Sequence, residues 1–73
     1  MTITNYWVIK DINTDQYYWR YRIDDGWNRN SDDAEKFNTK EECIEFIKQG
    51  DYGEGFEGKT LTFVELYKIE DED

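Results

Sequence analysis

Apolar and polar side chains are most regularly interleaved over Tyr17–Ile23, which reads Tyr-Tyr-Trp-Arg-Tyr-Arg-Ile. A strand sends successive side chains to opposite faces, so Tyr17, Trp19, Tyr21 and Ile23 share one face and Tyr18, Arg20 and Arg22 the other. The first set is expected to build a core. The second, a Tyr with two Arg, has the composition of an interaction surface, because Tyr, Trp and Arg dominate binding hot spots. Ahead of this strand, Tyr6–Lys10 is short, aromatic and β-branched, which predicts another strand. Both Trp7/Ile9 and Tyr6/Val8 are apolar, so the pattern leaves open which side faces inward. The intervening Asp11-Ile12-Asn13-Thr14-Asp15 has the Asn and Asp that favour turns and predicts an antiparallel hairpin. Asp24-Asp25-Gly26 is a second turn signal, with Trp27–Asn30 as a short third strand. In Ser31–Phe37, Ala34 and Phe37 are three apart, which predicts a single helical turn over the sheet edge.

Thr39-Lys40-Glu41-Glu42 is a capping box, in which Thr39 accepts from the Glu42 amide and the Glu42 carboxylate reaches back to the Thr39 amide. Cys43, Ile44, Phe46 and Ile47 then form one arc of a helix, with Glu41, Glu45 and Lys48 on the opposite side. Gly50 supplies a left-handed stop. Asp51–Gly58 is a glycine-rich connection carrying Tyr52 and Phe56. The longest strand candidate is Thr60–Ile69. Its alternation breaks between Phe63 and Val64, which predicts either a bulge or burial on both faces. The expected architecture is α+β: an antiparallel sheet of three to four strands with one helix, Lys40–Gln49, packed on one face. It forms a single domain, with an ordered core over about residues 5–69 and a frayed acidic tail at 70–73.

The 73 residues include one cysteine, Cys43, and no histidine. An internal disulfide and the common Cys/His zinc sites are thereby excluded. The three Trp, six Tyr and four Phe must supply the core instead, each ring able to bury roughly 150–250 Å². Cys43 is expected inside as a small core residue, since free Cys is among the most buried residue types and no base accompanies it. The start of the chain lacks a basic, then apolar, leader pattern, and no window approaches the roughly 18 apolar residues of a membrane span. With a lone cysteine this predicts a reducing cytoplasm, whether of a cell or of a host cell infected by a virus. Charge is divided unevenly along the chain. Up to Ser31, four Asp are balanced by Lys10, Arg20, Arg22 and Arg29; from Asp32 onward 14 acids face five lysines, which accounts for the whole net charge of −9. Direct nucleic-acid binding is disfavoured, because phosphate contacts need concentrated positive charge. A basic partner would be attracted. The plainer account of the same acids is a solvated face that keeps an aromatic-rich protein soluble.

Two motif matches fail on their context. Asp11, Asn13 and Asp15 occupy the first, third and fifth positions of a calcium-binding EF-hand loop, but Gln16 stands at the glycine position and Arg22 at the required glutamate. Gly53-Glu54-Gly55-Phe56-Glu57-Gly58-Lys59-Thr60 matches the P-loop letter for letter, yet a helix precedes it and a strand follows. Glu54 and Glu57 would also stand where the phosphates belong. Without histidine, triad chemistry lacks its ordinary base, and carboxylate pairs such as Asp24/Asp25 and Asp32/Asp33 lack the deep cleft of a glycosidase. No cofactor, metal or catalytic residue is expected. The Tyr/Trp/Arg alternation of the central strand is shared by sheets that stack RNA bases, a reading opposed by the net charge.

The order strand, strand, short strand, helix, strand, with Trp27 ahead of Asp33-Ala34-Glu35-Lys36-Phe37 and Thr39-Lys40-Glu41-Glu42-Cys43, resembles the layout of many small phage and prophage proteins. In those, a Trp is followed by Ala-x-x-Phe and a Thr-x-Glu-Glu-Ala helix start; here Cys43 stands at the usual Ala. The resemblance implies an inhibitor of host defence, such as an anti-CRISPR protein that occupies a nucleic-acid or protospacer-adjacent-motif site and so acts as a DNA mimic. The expected function is thus a non-enzymatic acidic module that binds a protein partner with a basic surface, such as a Cas effector or another nucleic-acid-handling protein, as a monomer or small homo-oligomer. Asp32, Asp33, Glu41, Glu45, Glu54 and Glu57 would supply the long-range attraction. Tyr18, Arg20 and Arg22, with Tyr52 and Phe56 as a second patch, would supply close-range affinity. The alternatives are an oligomerising structural phage protein and a single-stranded nucleic-acid binder.

Overall fold

The computed structural model describes residues 1–49 and 56–71. Four antiparallel strands, β1 (Thr2–Asp11), β2 (Gln16–Tyr21), β3 (Asp24–Asn28) and β4 (Leu61–Glu70), form one sheet in the order β3-β2-β1-β4, with the helix α1 (Lys40–Lys48) on one face. The fold is α+β, as the pattern predicts. Strand phase and turn position differ from expectation.

Tyr18 faces the helix. It is 1 % exposed and sits at the centre of the core with Ile9, Cys43 and Phe56. Its ring lies 4.9 Å from Phe56, 5.6 Å from Phe46 and 5.7 Å from Trp27. The phenol reaches the rim of this cluster and donates to Asp25 Oδ2 at 3.2 Å, so the polar end is satisfied while the ring is packed. Tyr21 and Ile23, expected inside, are 66 % and 92 % exposed. The alternation of β2 is therefore real and its sign is reversed. The more apolar phase, Tyr17, Trp19, Tyr21 and Ile23, is the one turned away from the helix; the rings of α1 and Phe56 packed on Tyr18 override the count of apolar residues.

The β2–β3 turn is also displaced. Tyr21 pairs with Asp24, leaving Arg22 and Ile23 as the loop, with Arg22 left-handed at φ 58°. Asp24-Asp25-Gly26 belongs to β3, and the reason lies at Gly26. A Cβ there would stand 2.8 Å from Trp19 Cζ2, so the glycine leaves room for the indole ring rather than shaping a turn.

β1 is twice its expected length. Its register against β4 is uninterrupted from Thr2↔Glu70 to Asp11↔Leu61, which excludes a bulge and places Leu61 and Phe63 on the helix side, Val64 and Leu66 on the other. Glu70 is thus a strand residue rather than part of a frayed tail. β1 pairs with β2 only at Lys10↔Tyr17 and Asp11↔Gln16, and beyond that point the two strands diverge. Residues 35–37 occupy the fork: Glu35 N–H donates to the Tyr18 carbonyl at 2.9 Å, and Trp7 and Phe37 exchange both backbone bonds at 2.7 and 2.9 Å. Lys36 emerges on the side away from the helix, 5.3 Å from the Tyr6 ring centre, while Phe37 packs 5.4 Å from Phe46 on the helix side. The expected helical turn over Ser31–Phe37 is shorter, a 3-10 turn at Ser31–Asp33. Past the fork, Thr2–Tyr6 and Leu66–Glu70 continue as a two-stranded ribbon, and the molecule measures 44 × 23 × 22 Å.

The cap forms with one change of partner. Glu42 N–H donates to Thr39 Oγ1 at 3.1 Å, while the Glu42 carboxylate accepts from the Asn38 amide, one residue ahead of the predicted donor. Cys43 is fully buried, and desolvation pushes its thiol up to about 11, which makes it inert as a nucleophile at neutral pH.

Strand phase and the glycine contact give separate stability predictions. Tyr18→Ala should cost about 3–5 kcal/mol, in the range of large aromatic truncations in cores, whereas Tyr21→Ala should cost less than about 1 kcal/mol; urea unfolding measures both. Gly26→Ala should cost about 1–3 kcal/mol by overpacking against Trp19, although alanine is ordinarily the easier residue to order in a strand.

Candidate functional site

The first turn of α1 sets Glu41 and Glu42 side by side, and Glu45 and Gln49 follow Glu41 at intervals of four, the spacing that stacks side chains on one face of a helix. Phe37, delivered through the fork, and Phe46, from the next turn of the helix, bring two rings beside this stripe. Phe37, Glu41, Glu42, Glu45, Phe46 and Gln49 line one open depression of about 380 Å³. Its walls are aromatic and its rim carries three carboxylates. Glu42 is partly committed, since Oε2 accepts from the Asn38 amide at 2.9 Å. Glu41 and Glu45 are exposed. Arg20 lies at the edge of the same ring cluster: its guanidinium carbon is 5.2 Å from the Phe46 ring centre, and its Nε is 3.5 Å from Glu35 Oε2. The protein thus already seats one guanidinium against the Phe46 ring, a cation–π contact reinforced by a carboxylate.

The other expected contact residues are dispersed. Tyr18 and Phe56 are core residues, so neither can meet a partner; both are held by the ring cluster that closes α1 onto the sheet. Arg22 sits in the β2–β3 loop, 5.3 Å from the Tyr21 ring centre, and is not beside Arg20. Asp32 and Asp33 are exposed in the 3-10 turn, where Asp33 Oδ2 accepts from Asn30 Nδ2 at 3.3 Å. Asp33 lines a different depression, of about 370 Å³, with Trp19, Arg20, Tyr21 and Asn28. Glu57 is exposed beside the buried Phe56. Tyr52 and Glu54 lie outside the described residues. Of the expected set, therefore, Glu41 and Glu45 converge on one site. Glu42, Phe37 and Phe46 complete it, residues that the sequence pattern marks only as a cap, a turn residue and a core residue. The four-residue spacing from Glu41 through Glu45 to Gln49 was the available signal.

The two rejected motifs have other uses for their residues. Asp11, 2 % exposed, ties the first hairpin to the beginning of β4. Its Oδ1 accepts from the Asn13 and Thr60 amides at 3.1 and 3.3 Å, its Oδ2 accepts from Thr14 Oγ1 at 2.9 Å, and Lys59 Nζ stands 3.8 Å away. Burial pushes the Asp11 carboxyl upward, but the hydrogen bonds from Thr14, Asn13 and Thr60 and the Lys59 charge outweigh it and hold the group below the ordinary carboxylate range. Asp15, at φ 58°, bonds Lys10 Nζ at 2.7 Å, which lowers the Asp15 carboxyl and raises the Lys10 amine. In the P-loop match, Phe56 is core, Lys59 serves Asp11 and lies 4.9 Å from the Trp27 ring centre, and β4 follows directly; Gly53–Gly55 lie outside the described residues. Among the described residues no helix is long and apolar enough to cross a membrane.

No family model, curated protein or solved structure matches this chain.

The depressed Asp11 carboxyl fixes the sign of a pH effect. A group whose pKa is lowered by folding adds stability above its unfolded value, near 3.8, and loses that contribution as pH falls through the folded value. Asp11→Asn should therefore be less stable than the parent at pH 7. The gap should close as the pH is lowered through and below about 4, as read by thermal unfolding across a pH series.

Proposed function

We propose that this protein is a non-enzymatic acidic binding module whose α1 face takes lysine or arginine side chains from a basic surface of a protein partner. The observation that carries this is the rim of Glu41, Glu42 and Glu45 around the Phe37 and Phe46 rings. Carboxylates supply charge and hydrogen-bond acceptors, and the rings supply a flat apolar wall. Together they match a planar guanidinium better than either does alone. The net charge of −9 adds a long-range field that speeds encounter with a cationic partner and weakens with salt. Arg20 against Phe46 and Glu35 is an internal instance of the same chemistry.

A basic surface of this kind is what nucleic-acid-handling proteins present to phosphates. The reading extends to a phage-encoded inhibitor that covers such a surface on a host defence nuclease, in the manner of an anti-CRISPR protein. Glu41 and Glu45, rather than the hairpin arginines, would make the first contact.

A nona-arginine peptide serves as a simplified partner. It should bind in low salt, and its affinity should fall as salt is raised. The double variant Glu41→Lys/Glu45→Lys should weaken binding by at least about tenfold, with the helix signal in circular dichroism retained because Glu42 and Thr39, which cap α1, are unchanged. Asp32→Lys/Asp33→Lys alters net charge equally but lies outside the depression and should have the smaller effect. Equal loss in the two double variants would reduce the site to general electrostatics. Capture from a host lysate by the parent, lost in the Glu41/Glu45 variant, would then identify the natural partner.

A further inference from the structure

β4 is ten residues long and lies at the edge of the sheet, paired with β1 on one side and with no strand on the other among the described residues. Edge strands are ordinarily shielded by shortness, bulges, proline or charge. β4 has no proline, and its register is free of bulges. Its charged residues are Glu65, Lys68 and Glu70, and the last two lie 3.5 Å apart as a pair. The ribbon end of β4 also carries the exposed apolar side chains Tyr67 and Ile69, 67 % and 63 % exposed.

We propose that β4 pairs antiparallel with β4 of a second copy about a twofold axis at Leu66, giving a dimer with one continuous eight-stranded sheet. The register follows from geometry. Residues facing each other across a sheet share a face, so a twofold must pass through a residue that meets itself. Centring on Glu65 or Lys68 sets like charges in contact, which is destabilising. Centring on Val64 sets Phe63 against Glu65, and centring on Tyr67 sets Ile69 against Glu65. Centring on Leu66 pairs leucine with leucine, puts Ile69 opposite Phe63 of the second copy twice over, and puts Glu65 opposite Tyr67; the remaining pairs, Val64 with Lys68 and Thr62 with Glu70, set no like charges together. Phe63 and Ile69 lie on the helix side, so the exposed end of one ribbon comes to rest beside the helix-covered half of the other. This self-complementarity favours a second copy over an unrelated strand. The interface stands apart from the α1 depression and does not depend on the binding role proposed for it. Two copies of that depression would lie on the same face of the sheet.

Sedimentation equilibrium over a wide concentration range, combined with cysteine scanning of β4, tests this. The parent should dimerise reversibly. Ile69→Lys changes an exposed side chain, so the monomer fold should be kept, checked by circular dichroism, while dimer dissociation should become at least about tenfold easier. Under mild copper-phenanthroline oxidation, Leu66→Cys should cross-link to itself, because directly opposed strand residues bring their Cβ atoms to about 4.5–5.5 Å. Tyr67→Cys, offset from its own copy, should not. Cys43 is buried and does not compete. A chain that sediments as a monomer at every concentration, or a dimer insensitive to Ile69→Lys, would overturn the proposal. A dimer that cross-links through position 67 and not 66 would overturn the register and with it the self-complementarity on which the proposal rests.

Discussion

The packing of the Tyr18 ring against Phe46, Phe56 and Trp27 is the contact on which the rest of the structure depends. It joins all the layers: β2 supplies Tyr18, β3 supplies Trp27, α1 supplies Phe46, and the segment leading into β4 supplies Phe56. With a single cysteine and so no internal disulfide, a domain this small depends for its cooperativity on such a cluster. The choice of Tyr rather than Phe at its centre follows from the hydroxyl. Asp25 accepts its hydrogen bond at the rim, so the ring can be buried whole without leaving a polar atom unsatisfied.

Fixing Tyr18 toward the helix fixes the phase of every neighbouring position. Tyr17, Trp19 and Tyr21 are sent to the other face, where Trp19 needs the space above Gly26. That requirement draws Asp24–Gly26 into β3 and leaves Arg22 and Ile23 to turn the chain. On the helix side, Arg20 follows Tyr18 by two residues and so reaches Phe46 and Glu35. The fork between β1 and β2 then has a structural purpose. It lets residues 35–37 bond both strands and carries Phe37 through to the helix layer. The acidic depression exists because Phe37 arrives there, beside the helix face bearing Glu41, Glu42 and Glu45.

Local chemistry was legible in the sequence, and cross-layer choices were not. The α1 start at Thr39, the burial of Cys43 and the first hairpin all follow from short-range rules that the structure bears out; β4 is half-buried on both faces only over Leu61–Val64 and is largely exposed beyond. Hydrophobicity alone points β2 the wrong way, because Tyr17, Trp19 and Tyr21 are more apolar than Tyr18 and Arg20, and only the rings that α1 and Phe56 bring to Tyr18 reverse it. A glycine after two aspartates is ordinarily a turn signal, and only the Trp19 ring on the neighbouring strand makes Gly26 a strand residue. Thr2–Asn5 has no core-facing pattern of its own and is ordered by pairing with β4. Glycine-rich surroundings give Phe56 the pattern of an exposed loop residue and conceal its contacts with Tyr18 and Trp27. At the site, Glu41 and Glu45 were legible as an exposed helical face. Phe46 is legible from the helical period, but Phe37, which turns that face into a lined depression, depends on a path through the sheet that no periodicity encodes.

The most direct measurement is a set of nuclear Overhauser contacts from the tyrosine rings of the labelled protein in solution. The structure places the Tyr18 ring against Phe46 and Phe56, and it predicts cross-peaks from Tyr18 to both, with none from Tyr21 to either. Cross-peaks from Tyr21 or Trp19 to Phe46, with Tyr18 freely accessible to solvent, would reverse the sheet and remove the basis for the depression beside α1.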